Sequence, residues 1–360
     1  MLSDKKDFSS GTFAVVAAPQ HLMNLAQACL AGLAPEPFEL VVLVDSRKPE
    51  TYGGDVMLGA LEIFSEFFKI ASTKILHLKR GTWNAQLALA IRKTNRNKSA
   101  RDVACLGLTP SGMWSRSYAV QNARKVILLD DGSATLVTEF GSLLDGQPST
   151  SHGRIWDFSM SRLAGRSSTR NLEPRLYTCF GISEPSVQVI EHRYYELNSL
   201  LDSVEQDFDQ KFGHKTKIYI DSCYQWLGSD LHLSLVRKIH EEMQFNVYVP
   251  HRRTPSHFSK LIAKTLNVDL IRPPVPIELM IRIWTSRGSI IYIPPTSLAV
   301  TASFFAKNQK QLKLISISKW LESQRHLSII EDESDFIAYI QEAEMCERLS
   351  EVALGIVLTG

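Results

Sequence analysis

The sequence lacks the features of a secreted or membrane-spanning protein. Its first residues, MLSDKKDFSSG, have no apolar core of the kind that a signal peptide carries, and no run approaches the roughly 20 apolar residues that a bilayer crossing requires. The five cysteines are scattered, with no close pair that could form half a zinc site or a redox motif. We therefore expect the chain to work in the reducing cytoplasm.

Two further absences exclude whole classes of protein. The 40 basic and 38 acidic residues leave a net charge of only +2, which gives no electrostatic case for a nucleic-acid binder. The turn Ala-Pro-Gln-His at 18–21, after the first apolar run, contains no glycine, so the dinucleotide fingerprint is missing and Asp45 cannot be argued to hold a ribose. The chain also lacks GxxxxGK[ST], which excludes P-loop kinases and ATPases.

Short apolar runs alternate with helical patterns along the chain. The runs FAVVAA, FELVVLVDS and KVILLDD read as buried strands in the first half, and a second alternating series begins with KIYIDS at residue 217. This order predicts an α/β protein with mostly parallel sheets. At 360 residues we expect two domains, 1–208 and 209–360, with a polar insert near 141–175 and a ligand cleft between the domains.

Two adjacent carboxylates end the buried run at residues 125–129. Asp130, Asp131 and Gly132 follow it directly, at the edge where open α/β sheets bind ligands. A partly buried carboxylate there can have its pKa raised, as a general base requires. The alternative is a turn or helix cap, since Asp and Gly are typical of both.

Two more strand ends carry polar residues in the second half. Pro250, His251 and Arg252 follow one strand and form a cationic cluster suited to phosphate or carboxylate, or simply a solvated basic loop. Thr296 and Ser297 open an apolar helix after another strand. They could cap that helix, or hold a phosphate at its N-terminus together with the free amides.

The order of these motifs resembles that of the bacterial sialyltransferases. The chain has Asp-Asp-Gly, then Tyr-x-Pro-His, then Pro-x-Glu-Leu at 276–279, and finally Thr-Ser at a helix start. The sequence is most similar to the lipooligosaccharide sialyltransferases of glycosyltransferase family 52, which are related to polysialyltransferases and marine-type sialyltransferases. The opening APQHLMNLAQA is also similar to the start of that family.

The resemblance implies a GT-B fold, two Rossmann-like domains facing a central cleft. It implies inverting, metal-independent transfer of sialic acid from CMP-sialic acid to a hydroxyl of a surface glycan such as lipooligosaccharide or capsule, with no cofactor. Asp130 would be the base and His251 would stabilise the leaving phosphate. The implied donor-binding residues are Asp131, Gly132, Pro250, Arg252, Glu278, Thr296 and Ser297. The implied acceptor-binding residues are Pro19, Gln20 and His21.

One departure from the family pattern leaves two alternatives open. Where the family has His-Pro, this chain has His251-Arg252, and the loss of a rigid proline could reshape the nucleotide pocket. The chain could therefore be a glycosyltransferase of the same fold that uses another nucleotide sugar, such as a hexose donor. It could also be a catalytically degenerate protein that binds glycans or anchors an assembly complex.

A basic run, RKTNRNKSAR at 92–101, bears on the partners of the chain. It predicts a solvated loop, with docking of a lipid-linked anionic acceptor as the alternative. We accordingly expect a nucleotide-sugar donor and a glycan acceptor as partners and at most peripheral contact with the inner membrane. A homodimer is left open.

Overall fold

The structure is a computed structural model that describes residues 9–46, 51–78, 83–96, 101–108, 114, 117–130, 132, 173–182, 187–202, 216–222, 228–315 and 344. The chain divides into two compact units. Unit 1 comprises Met1–Arg47 and Met57–Leu197, and unit 2 comprises Lys48–Val56 and Asn198–Gly360. The predicted domain boundary at 208/209 and residues 141–172 of the predicted insert lie outside the described residues.

Strands and helices alternate from residue 9 to residue 129, as the apolar runs predict. The strands are β1 (Ser9–Val16), β2 (Phe38–Asp45), β3 (Ile70–Leu78), β4 (Arg101–Gly107), β5 (Lys125–Leu129), β6 (Arg175–Thr178) and β7 (Gln188–Glu191). The helices are α1 (Pro19–Leu30), α2 (Gly53–Phe67), α3 (Trp83–Arg96), α4 (Tyr118–Gln121) and α5 (Tyr195–Asp202).

These seven strands form one parallel sheet in the order β3-β2-β1-β4-β5-β6-β7. Ala14 in the middle of β1 lies opposite Leu40 of β2 and Cys105 of β4, and all three are buried. Central strands buried on both faces need apolar residues at every position, which is why they appear in the sequence as continuous apolar runs rather than alternating ones.

The second part of the chain repeats this plan on a smaller scale. Its strands are β8 (Lys217–Ile220), β9 (Val247–Val249), β10 (Asp269–Leu270), β11 (Ile290–Ile293) and β12 (Leu312–Leu314). Its helices are α6 (Ser229–Met243), α7 (Ser256–Leu266), α8 (Ile277–Ser286) and α9 (Ser297–Phe305). The strands form a parallel sheet in the order β10-β9-β8-β11-β12.

The two faces of the second sheet carry different side chains. Tyr219, Tyr248 and Tyr292, one from each of β8, β9 and β11, lie in an apolar cluster with α6 and α7. The isoleucines and valines that flank them along the strands lie in a second cluster, with α8 and α9. Because side chains alternate along a strand, the repeated aliphatic-tyrosine-aliphatic pattern places every tyrosine on one face of the sheet.

Each sheet has a point at which its strand order reverses. In unit 1 the reversal lies between β1 and β4, and in unit 2 it lies between β8 and β11. Connections on the two sides of such a point run to opposite faces, which opens a crevice at the carboxyl ends of the strands where ligands bind in this class of sheet. The candidate ligand-binding residues are therefore those that directly follow β1, β4, β5, β8, β9 and β11.

The basic run at 92–101 is not the continuous loop that the sequence predicts. Residues 92–96 complete α3, and Arg101 begins β4 and forms an ion pair with Glu39. Residues 97–100 lie outside the described part. Within the described ranges no helix has both the length and the apolar character needed to cross a membrane.

Candidate functional site

Asp130 lies at the carboxyl end of β5 in unit 1 and is fully buried, with 0% of its surface exposed. Its Oδ1 accepts hydrogen bonds from the amide of Gly132 (3.3 Å) and from Nε2 of Gln20 (3.2 Å), while Oδ2 accepts from the amide of Cys179 (3.1 Å). Burial raises the pKa of the Asp130 carboxyl, and the hydrogen bonds from the amides of Cys179 and Gly132 oppose that rise. Gly132 has a φ of +75°, a backbone conformation suited to glycine, so Asp130 forms the turn that the sequence offered as an alternative.

Helix α1 supplies polar partners to this edge of the sheet. Gln20, Asn24 and Gln27 are spaced so that they share one helix face. Asn24 donates to the backbone oxygen of Asp130 (3.2 Å) and accepts from the hydroxyl of Tyr194. Gln27 bonds the carboxylate of Glu196 and accepts from the amide of Leu197 (3.0 Å). We call these three α1 residues the amide stripe.

His192 lies beside the amide stripe and is 7% exposed. Its ring stacks on Tyr177 at a centroid distance of 4.2 Å and meets the edge of Tyr194 at 4.5 Å. Neither ring nitrogen has a hydrogen-bond partner among the described residues. Burial, and secondarily the charge of Arg193, lower the pKa of His192 to about 3, so the imidazole is neutral near pH 7.

The predicted acceptor-binding residues begin α1. Pro19 is buried at the first position of the helix, a location typical of proline. Gln20 bonds Asp130, so the structure brings together two side chains that the sequence assigned to one site. His21 is 0% exposed, and its Nδ1 accepts from the amide of Ala17 (3.0 Å). Asp131, the second predicted carboxylate, lies outside the described residues.

The ring of His21 packs against the last residue of β4. A Cβ placed on Gly107 would lie 2.2 Å from Nδ1 of His21, far inside van der Waals contact. We expect Gly107→Ala to lower the free energy of unfolding by about 1–3 kcal/mol, the usual cost of overpacking a close-packed site. Urea unfolding checks this against Gly228→Ala, where an added Cβ meets nothing within 4 Å. Equal midpoints for the two variants would contradict the predicted clash.

Unit 2 contains a buried carboxylate that the sequence analysis did not single out. Asp221 follows β8 at the reversal point of the sheet, and its side chain is 0% exposed. Its Oδ2 accepts from the hydroxyl of Tyr248 (2.6 Å) and lies 2.8 Å from Nε2 of His232. Its Oδ1 accepts from the hydroxyl of Tyr219 (3.1 Å) and from the amide of Ser222 (2.9 Å).

The neighbours of Asp221 keep its carboxyl ionised in spite of its burial. Burial alone would raise the pKa of its carboxyl, but the charge and hydrogen bond of His232, with those of Tyr248 and Ser222, lower it overall. The carboxylate is therefore ionised near neutral pH at the carboxyl edge of the sheet. We call Asp221, Tyr219, Tyr248 and His232 the Asp221 network.

The predicted cationic cluster follows β9. Residues 250–254 form a tight turn, in which the amide of Thr254 donates to the carbonyl of His251 (2.8 Å) and the amide of Arg253 donates to Nδ1 of His251 (3.2 Å). We call this segment the basic turn. Pro250 is buried, His251 and Arg252 are half-buried, and Arg253 is exposed.

His251 is a neutral donor rather than a cation. Burial, followed by the charges of Arg252 and Arg253, lowers the pKa of His251 to about 3. Because Nδ1 accepts a hydrogen bond, the proton of the neutral ring is on Nε2. His251 can therefore donate one hydrogen bond to an anion at neutral pH while the two arginines supply the charge.

Helix α9 begins after β11, on the other side of β8 from the basic turn. Thr296 occupies the N-cap position, but its side chain makes no capping hydrogen bond. Thr296 and Ser297 are half-buried. Glu278, in the first turn of α8, is buried and accepts from the hydroxyl of Thr301 (3.3 Å). In the described ranges no three metal-ligating side chains are grouped so as to hold a metal ion.

Sequence reasoning missed the Asp221 network and His192. KIYIDS has the same form as KVILLDD, a buried run that ends in a carboxylate, and this signal could have identified Asp221. No local pattern identifies His232 and Tyr248 as its partners, because they come from α6 and β9.

Comparisons with known proteins bear on the fold. No protein-family profile matches the chain, and no curated protein matches it. Among solved structures, a UDP-N-acetylglucosamine 2-epimerase assigned in Listeria monocytogenes matches with a TM-score of 0.50 at 10% identity, over 96% of this chain and 90% of that one. The UDP-GlcNAc 2-epimerase from Neisseria meningitidis bound to UDP-GlcNAc gives 0.44 at 13% identity, over 96% and 99%. MurG from Acinetobacter baumannii gives 0.36 at 12%, over 97% and 96%.

The two parallel-sheet units, together with the match at a TM-score of 0.50, give the chain the GT-B fold, which confirms the predicted fold class. The resemblance to sialyltransferases of glycosyltransferase family 52, and with it the activity dependent on CMP-sialic acid, is wrong. The solved structures that the chain is similar to include UDP-GlcNAc 2-epimerases and a heptosyltransferase.

The motif order misled because three of the four motifs lie where the fold places polar residues. Asp130 follows β5, His251 follows β9 and Thr296 follows β11, all at the carboxyl ends of parallel strands. Any doubly wound protein with two such sheets presents polar residues at these positions, whatever nucleotide it binds. The order of the motifs is therefore a property of the fold and carries no information on the donor.

Proposed function

We propose that this chain is a GT-B glycosyltransferase that binds a nucleoside-diphosphate hexose in unit 2 and transfers the hexose to a hydroxyl of a glycan. The observation that carries the proposal is a pair of elements, one on either side of Asp221, whose groups are suited to bind an anion. The basic turn follows β9, and the start of α9 follows β11, with β8 between those strands. The epimerases that share the fold include one bound to UDP-GlcNAc, which supports a nucleotide sugar as the ligand.

The spacing of these elements suits a diphosphate. Neighbouring strands are about 4.8 Å apart, so the ends of β9 and β11 are roughly 10 Å apart across β8. Arg252 brings positive charge on one side, and the first-turn amides of α9, with the hydroxyls of Thr296 and Ser297, bring hydrogen-bond donors on the other. Two linked phosphates could contact both elements at once.

The same elements would assist the chemistry of transfer. As the bond between the sugar and the nucleotide breaks, negative charge grows on the leaving diphosphate. Fixed donors that already surround that position stabilise the charge without reorganising, and the neutral Nε2–H of His251 would be one of them. Asp130 as the general base stays a prediction, since its carboxylate is the centre of a buried turn.

That burial favours a second candidate function. A base must reach the acceptor hydroxyl, within about 3 Å or through one water, and Asp130 has no exposed surface. A chain that binds a nucleotide sugar or glycan without transferring it would have the same unit 2 and a buried Asp130.

Calorimetric titration with UDP- and ADP-hexoses, followed by chromatography for released nucleoside diphosphate with and without glycan acceptors, separates the two functions. Binding with acceptor-dependent release supports transfer, and binding without release supports the second function.

Removing the charge of the basic turn should weaken nucleotide binding. We expect Arg252→Ala to raise the Kd for a nucleoside diphosphate roughly 10- to 100-fold, the effect of losing one charge-assisted hydrogen bond. Ser297→Ala should raise it roughly 2- to 10-fold, because the amides of α9 remain. Arg237→Ala on the exposed side of α6 is the matched control and should leave the Kd unchanged. Unaltered affinity in both test variants would remove the proposed diphosphate site.

A further inference from the structure

A segment from the first part of the chain contacts the basic turn. The hydroxyl of Tyr52 donates to the carbonyl of Pro250, a residue 198 positions later in the sequence. A Cβ on Gly53 would lie 3.7 Å from the carbonyl oxygen of Arg252, so the backbone of Gly53 runs close beside the turn. Residues 48–56 accordingly belong to unit 2, although the rest of the chain before Leu197 belongs to unit 1.

The hydrogen bond from Tyr52 falls where the backbone leaves the sheet. Pro250 is buried and is the first residue after β9. Its carbonyl lies beyond the hydrogen bonds between the strands and so needs another donor. Within the turn, hydrogen bonds join residues 251 and 254 and residues 251 and 253. Tyr52 adds a bond from a segment far away in the sequence to the residue at which the turn begins.

The surroundings keep this phenol protonated. Burial raises the pKa of the Tyr52 hydroxyl, the nearby charges of Arg272 and Arg252 oppose that rise, and the charge of Asp221 adds to it. The hydroxyl is therefore a hydrogen-bond donor throughout the range in which proteins work. Tyr52 therefore lies within electrostatic reach of Arg252 in the basic turn, of Arg272 after β10 and of Asp221.

We infer that Tyr52 is a positioning residue of the donor site: its hydroxyl holds the basic turn in the shape in which His251 and Arg252 meet the diphosphate. The identity of the ligand in this inference rests on the proposed function, whereas the hydrogen bond by which Tyr52 holds the turn does not. Tyr52 would act through the turn, without contact with the reacting atoms.

The test removes only the hydroxyl. We expect Tyr52→Phe to raise the Kd for UDP or ADP, whichever binds the unaltered protein more tightly, by roughly 5- to 30-fold, because a buried carbonyl loses its donor and the turn loses its anchor. Tyr195→Phe is the matched control, since Tyr195 is 72% exposed on α5, and it should change nothing. An unchanged Kd in folded Tyr52→Phe would overturn the inference.

A second measurement needs no nucleotide. Trypsin cleaves after Arg252 and Arg253, so a loosened turn should be cut several-fold faster in Tyr52→Phe, with mass spectrometry identifying the fragments. Cleavage after Lys238, exposed on α6, is the internal reference and should keep its rate. A general loss of stability would accelerate both sites equally and would overturn the inference. If the unaltered protein binds no nucleotide, the proposed function fails, and selective cleavage at the turn still decides whether Tyr52 holds it.

Discussion

Asp221→Asn is expected to lower the free energy of unfolding of unit 2 by roughly 2–6 kcal/mol, the cost of leaving two buried hydrogen-bond donors without an acceptor. Four donors converge on this carboxylate, from Tyr219, Tyr248, His232 and the amide of Ser222. An asparagine fits the same space but has one oxygen instead of two, and its amide group points hydrogens at groups that are themselves donors. At least two buried donors would lose their acceptor, and each such loss costs about 1–3 kcal/mol.

Hydrogen exchange read by mass spectrometry locates the effect. Amides of β8 and β9 should lose protection in Asp221→Asn, since both strands lead into the network. Asp230→Asn makes the same chemical change on an exposed residue in the first turn of α6 and should cost less than about 1 kcal/mol. Protection in β8 and β9 equal to that of the control would show that the Asp221 network does not stabilise the unit.

Acidification should destabilise the protein through His192. Its pKa is about 3 in the folded chain against an ordinary value of 6.5, so the unfolded chain binds the proton more tightly. The contribution of His192 to the free energy of unfolding is therefore fully present above pH 6.5 and declines as the pH falls towards 3. The slope is about 1.4 kcal/mol per pH unit for one such group. The ring is held between Tyr177 and Tyr194 with the Arg193 charge nearby, so a proton placed there has no acceptor to offset its burial.

His192→Phe isolates this contribution because it retains an aromatic ring in the stack. Urea unfolding at a series of pH values from 7.5 to 4 should give a shallower decline for His192→Phe than for the unaltered chain. His251 contributes in the same direction to both proteins, and so cancels in the difference. His257→Phe, at an exposed position in α7, should keep the original slope. Identical slopes for all three proteins would contradict a buried, neutral His192.

The fold was predictable because its signal is local. Strands that are buried on both faces must be apolar throughout, so runs such as Val126–Leu129 stand out between amphipathic helices. The alternation of the two elements then leaves few arrangements other than parallel sheets. The sequence predicted a loop where α3 ends, because residues 92–96 are charged or polar and the last turns of a helix need no apolar pattern.

The candidate site was only partly predictable, because its partners meet through tertiary contacts. Strand-end residues such as Asp130 and His251 are visible from the sequence, and the structure places each at a carboxyl edge. Tyr52 is different, since nothing near it in the sequence suggests a contact with Pro250. The donor specificity could not be inferred either, because a diphosphate is bound by amides, hydroxyls and arginines that any nucleotide would share.

The amide stripe fixes the rotation of α1 about its own axis. Apolar side chains pack almost equally well after a small rotation, but Gln20 and Asn24 bond Asp130 at the sheet edge and Gln27 bonds the start of α5. A slip of one residue turns the helix by about 100°, which would bury three amide groups against hydrocarbon and leave Asp130, Tyr194 and Leu197 without them. The amide stripe therefore selects one orientation of the helix. A variant with leucines at its three positions should fold with α1 in several orientations.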